Sequence, residues 1–216
     1  MRVSFEFTGT MPLLMHADDI EWSDRLQEWR KRPENKNVSV PGDDRSPPWG
    51  WMSCLYSDGE HLAIPSGNIM AGLRSAGARL IMKKQKTFKE ATQSELLIDG
   101  EFCDLFVEGK QIKAADLESL ASLTFAQQAE AVQKHGFRLF LKRARIGTSK
   151  HVRVRPRFNT WTVRGSLETF APELTFEVLT QLFEIGGKLG LCDWRPGCKT
   201  SGPFGMFTSK LTKTAS

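Results

Sequence analysis

Eight cationic side chains lie between Arg138 and Arg157 with no Asp or Glu among them. They are Arg138, Lys142, Arg143, Arg145, Lys150, Arg153, Arg155 and Arg157, and His151 lies in the same stretch. The chemistry they offer is anion binding. The chain carries a net charge of +5, yet without these eight the remaining 22 Lys and Arg face 25 Asp and Glu. The basic character is therefore local, and a polyanion such as nucleic acid is the expected partner. From His151 to Arg157 the chain alternates, with Val152 and Val154 on one side and Arg153, Arg155 and Arg157 on the other. On a strand this spaces the guanidiniums about 6.6 Å apart, close to the phosphate spacing of a nucleic-acid strand. Guanidinium holds phosphate bidentately and stacks on bases. A charge-guarded edge strand is the plain alternative, but such guards mix signs and favour lysine.

A second constellation is the loop from Cys192 to Gly202. Trp194 is positioned to stack on a base, Arg195 and Lys199 to meet phosphates, and the glycines to present backbone amides. A connecting loop around a buried Trp is the competing reading. His16 follows an apolar run and is a candidate contact, with a partly buried structural His as its alternative. Asp18, Asp19, Glu21, Asp24 and Glu28 form an acidic patch. It reads as a solvated helix face, as a metal or acid–base site, or as a surface for the basic face of a neighbouring copy. That last contact would be head-to-tail and would build open filaments. The four histidines are scattered, and no GxSxG, HExxH or P-loop order occurs. Four cysteines lack CxxC spacing, and Cys192 with Cys198 cannot close a zinc site alone. No catalytic residue, metal or cofactor is expected.

These residues need a scaffold. A chain of 216 residues with 40% apolar content suits one sizeable domain with insertions. No stretch is apolar for the roughly 18 residues a membrane helix needs, and a cytoplasmic protein is expected. Val3, Phe5 and Phe7 share one face of a first strand. Ser66 reads as an N-cap for a helix carrying Ile69, Leu73, Ala76 and Leu80. Leu96 to Val107 reads as a hairpin around Asp99-Gly100. Thr124 and Gln127 form a capping box for a helix ending near Gly136. Strands follow at His151–Arg157 and from Trp161, then an amphipathic helix over Glu173–Lys188 and a last strand from Met206. A helix over Trp22–Lys31 sits inside an otherwise loop-like stretch. Without the insertions, taken as 17–61 and about 83–150, the order is strand, helix, strand, strand, helix, strand. That is an α+β, ferredoxin-like or RRM-like βαββαβ core in a single domain.

Ile64-Pro65-Ser66-Gly67-Asn68-Ile69-Met70-Ala71-Gly72-Leu73-Arg74 resembles the strand-to-helix signature of the RAMP superfamily, the repeat-associated proteins of CRISPR effector complexes. Gly202-Pro203-Phe204-Gly205 resembles that superfamily's C-terminal glycine-rich loop, and Gly9 with Pro12 to His16 its first strand and turn. The matched motifs cover about a third of the chain. The resemblance implies a backbone subunit, or a phage-encoded relative, that polymerises along single-stranded guide RNA beside other effector subunits, and DNA is a possible target. It implies a palm with an inserted thumb-like hairpin, and it brings Asn68 and Arg74 to the RNA backbone. Some relatives cut RNA with a loop Asp, for which Asp18, Asp19, Asp43 and Asp44 are the counterparts. A phage single-stranded DNA-binding or recombination accessory protein, a metal-dependent nuclease and a structural phage protein are the other readings.

Overall fold

The computed structural model describes residues 1–40, 42–146 and 149–214, the backbone alone at 145–146 and 149–150. It is an α+β structure built on antiparallel sheets. In chain order the elements are β1 (Arg2–Gly9), β2 (Leu13–Leu14), α1 (Ile20–Lys31), β3 (Ala63–Pro65), α2 (Ser66–Gly77), β4 (Ile81–Lys83), β5 (Lys86–Thr87), α3 (Lys89–Ser94), β6 (Leu96–Ile98) and β7 (Phe102–Val107). There follow α4 (Ala114–Glu118), α5 (Phe125–Ala131), β8 (Phe137–Ile146), β9 (Ser149–Phe158), β10 (Trp161–Thr169), α6 (Phe176–Leu189) and β11 (Phe207–Lys213). They divide into two compact units. No described helix is long and apolar enough to cross a membrane.

The first unit comprises Met1–Leu13, Ala63–Gln111 and Asn159–Ser216. Its sheet runs β11-β1-β10-β7-β3, with β6 also on β10. The expected alternation in β1 holds: Val3, Phe5 and Phe7 are buried. Phe7 stacks on Phe207 at 4.3 Å and meets Phe183 of α6 at 5.4 Å. Aromatic contacts of this kind add about 0.5–1.5 kcal/mol beyond area burial. Gly187 lets α6 reach β11, since a Cβ there would lie 2.2 Å from the Phe207 carbonyl oxygen. Ile69, Leu73 and Ala76 of α2 are buried as their spacing requires.

Two expectations change in this unit. Ser66 is the first residue of α2 and not its cap; its hydroxyl donates instead to the Gly100 carbonyl at 2.7 Å. Leu96–Val107 is no hairpin, because β6 and β7 both pair with β10. The reason lies at the Asp99 turn. Its amide donates to the Ser166 carbonyl and its carboxylate accepts from the Ser166 hydroxyl at 2.6 Å, so the chain stays on one edge of β10. After α2, Lys83 pairs with Lys86 in the short β4–β5 ribbon, with Lys84 at φ 53°.

The second unit comprises Leu14–Leu62 and Ile112–Phe158. The inserted stretch expected over 83–150 therefore divides, and 83–111 belongs to the first unit. Asp19 caps α1 by accepting from the Trp22 amide at 3.0 Å. The Thr124–Gln127 capping box is formed, and Gly136 closes the following turn at φ 80°. The core gathers Trp51, Met52, Leu62, Leu117, Val132, Phe137 and Phe158. Trp51 donates its indole N–H to Gln128, which donates on to the Leu123 carbonyl, so both buried polar groups are satisfied. The sheet here runs β2-β9-β8.

Candidate nucleic-acid interface

The strand that carries the arginine ladder is not where the sequence reading put it. The sequence counts it, with the strand from Trp161, among the strands of the core. Instead β9 pairs over ten positions with β8, while β7 fills the place beside β10. Stacking of Phe137 on Phe158 at 4.9 Å locks the base of the ribbon. A long local hairpin closes a short loop and is entropically favoured over a distant partner.

Residues directly opposite in an antiparallel pair share a face. The register sets Arg138 opposite Arg157, Phe140 opposite Arg155 and Lys142 opposite Arg153. One ribbon face therefore carries five cations around one aromatic ring. The Arg157 guanidinium lies 5.9 Å from the Phe140 ring centroid, as a shared face requires. Like charges facing each other destabilise a sheet, and a polyanion relieves that repulsion. Arg138 is exposed and makes no ion pair among the described residues. Arg143 is exposed on the opposite face, across from Val152. The Arg145 and Lys150 backbones face each other at the distal end, and the expectations for their side chains lie outside the described residues.

The ladder is not three equivalent exposed guanidiniums. Asp44, from the inserted loop, reaches both Arg153 (2.9 Å) and Arg155 (3.1 Å), and it accepts from the Val154 amide at 3.2 Å. The loop lies along β9 by backbone bonds: the Val152 amide donates to the Gly42 carbonyl, and the Asp44 amide to the Val152 carbonyl. Arg155 is only 9% exposed. The same Nη1 that meets Asp44 also donates to the Val154 carbonyl (2.8 Å), with the Cys54 sulfur at 3.5 Å, and Nη2 donates to Nε2 of His16 (3.0 Å). Guanidinium only donates, so His16 Nε2 accepts and its proton sits on Nδ1. Arg155 is thus the buried centre of a polar network in which Arg153 and Asp44 are partly exposed and His16 is exposed. Next door, Arg45 grips Asp43 with both ends of its guanidinium and holds that carboxyl below the usual range.

The other predicted residues belong to the first unit. Asn68 and Arg74 lie six residues apart on α2, about 120° around its axis. Asn68 is half-buried, and Arg74 is exposed. Burial raises the Cys192 thiol, against Arg195 and the Asn68 amide. Trp194, at φ 46°, meets Phe204 at 5.4 Å and covers Gly202, where a Cβ would lie 2.4 Å from its ring. Arg195 is half-buried, and its carbonyl accepts the Cys198 and Gly202 amides; Lys199 is exposed. Among the described residues, no three His, Cys, Asp or Glu converge as metal ligands. Sequence reasoning missed Phe140, and it did not single out Asp44 from its acidic neighbours. The alternation of Phe140 with Arg138 and Lys142 was the available signal for the first.

No model of a known protein family matches the chain, and no curated protein matches it.

Proposed function

We propose that the chain binds single-stranded RNA along the β8–β9 ribbon. Cations set in facing pairs around an aromatic ring are the observation that carries this reading. Phosphates would lie against Arg138, Lys142 and Arg157, and a base would stack on Phe140. The spatial order β11-β1-β10-β7 supports the finer fold reading. In chain order these are the fourth, first, third and second strands, with α2 and α6 as the two helices, which is the ferredoxin-like plan. The ribbon then corresponds to the inserted thumb. On that reading the chain is a RAMP-type backbone subunit, repeated along a guide RNA beside other effector subunits.

The test is fluorescence anisotropy of a labelled single strand over a salt series. Replacing Arg138, Lys142 and Arg157 together by Ala removes three phosphate contacts. The slope of log K against log salt should then fall by about 2, at roughly 0.7 per contact on a single strand. An unchanged slope would remove the ribbon from the interface. Equal or tighter binding of DNA of the same sequence would favour a DNA-binding accessory role, since only RNA offers the 2′-hydroxyl.

A further inference from the structure

Beside the ladder, within the second unit, lies a cleft of about 150 Å³. Arg30, Arg153, Arg155, Asp18 and Asp44 supply its charged lining, and Leu26 and Pro47 its apolar walls. We infer that this cleft takes one guanine base, read by a guanidinium and a carboxylate side by side. The inference rests on the RNA-binding reading above and gives that interface a base preference.

Charge sign is the first argument. The ribbon face presents cations, whereas the cleft sets two carboxylates among its arginines. A phosphate placed there would meet Asp18 and Asp44. A neutral base with both donors and acceptors would not be repelled. Bonding capacity is the second. Among the described residues Arg153 commits only Nη1, to Asp44, which leaves its other donors for a ligand. Among the described residues, Asp18 accepts only the Ser23 hydroxyl, at 3.3 Å. Asp44 accepts three donors on a group with about four acceptor positions. Arg30 has no ion pair among the described residues. Arg155 is excluded as a reader, because it is buried and bonded to Asp44, His16 and the Val154 carbonyl.

The edge pattern then selects the base. The pairing edge of guanine sets one acceptor, O6, beside two donors, N1–H and N2–H. A guanidinium next to carboxylates complements all three. Adenine offers one donor group on that edge. Cytosine and uracil each turn two acceptors toward a site holding two carboxylates. Splayed bases of single strands are read on these edges, and the apolar walls suit the faces of a ring. One such base per copy would set the register of the strand on the protein.

The experiment compares a labelled 12-nucleotide oligoadenylate with the same strand carrying one central guanine, by anisotropy at one salt concentration. GMP and AMP serve as competitors. The guanine strand should bind about tenfold tighter, the range of one good base-edge pair, and GMP but not AMP should erase the difference. Arg30→Ala and Asp18→Ala, both at exposed positions, should each bring the ratio toward one. Equal affinity for the two strands, with no effect of GMP, would overturn the guanine site and leave RNA binding standing. Failure of both strands to bind would overturn the RNA reading. GMP retained in equilibrium dialysis would in that case assign the cleft to a free guanine nucleotide, and GMP not retained would remove both proposals.

Discussion

The β8–β9 ribbon and the loop from Cys192 to Gly205 have similar ingredients: arginine, lysine and large aromatics. They end in different states. In the ribbon, strand pairing uses the backbone, so side chains of alternate residues stand out from one face. In the loop, no ladder organises the backbone. Its amides bond back to Leu189 and Arg195, its glycines let the chain approach itself, and Trp194 folds onto Phe204 and Gly202. The same residue types offer binding groups where pairing frees them, and packing groups where the chain must satisfy itself.

The sharpest way to test this contrast is at Asp44. Asp44→Ala leaves the buried Arg155 without its carboxylate, and loss of one partner of a buried pair costs about 3–5 kcal/mol. Urea unfolding should show a drop near the lower figure, because Asp44 is partly exposed. A loss under 0.5 kcal/mol would mean that Arg155 is held by its other bonds.

Next come the two aromatics. Trp194→Ala should lower stability by about 2 kcal/mol, below the cost of a full core truncation, and change RNA affinity less than about threefold. Phe140→Ala should do the reverse. Loss of one base stack weakens RNA binding about tenfold, with little movement of the unfolding midpoint. An RNA defect in the Trp194 variant, with stability intact, would break the contrast between loop and ribbon.

The smallest effect concerns pH. Burial in the first sheet pushes the Cys103 thiol up to about 11 from an ordinary 9.0, with Asp104 and Asp99 adding to it and Ser66 opposing. Above pH 9 the unfolded chain loses this proton and the folded chain keeps it. The stabilising contribution is therefore complete below pH 9 and is lost as pH rises toward 11, by about 1 kcal/mol between pH 9 and 10. Cys103→Ala should flatten that fall in urea midpoints. An equal fall in the variant would assign it to other groups.

Much was legible where the signal is local. Period-two alternation put Val3, Phe5 and Phe7 on one face, and all three are buried. Thr124 with Gln127 announced a helix start that is formed on both sides of the capping box. The segregation of cations into Arg138–Arg157 required nothing beyond reading the chain. Where alternation was read, it correctly separated Val154 from Arg155, yet both are buried. Periodicity assigns a residue to a side of an element and leaves open what covers that side.

By itself, then, the sequence determined the local elements, the α+β character and the concentration of positive charge. Only the tertiary structure decided which strand the arginine ladder joins. It also decided that Asp44, more than a hundred residues away, neutralises part of that ladder, and that Trp194 turns inward. The physical reason is range. Propensities and caps act within a few residues. Strand partners and counter-ions are selected by burial and loop closure summed over the folded chain. An acid-free run of sequence is therefore not an acid-free surface.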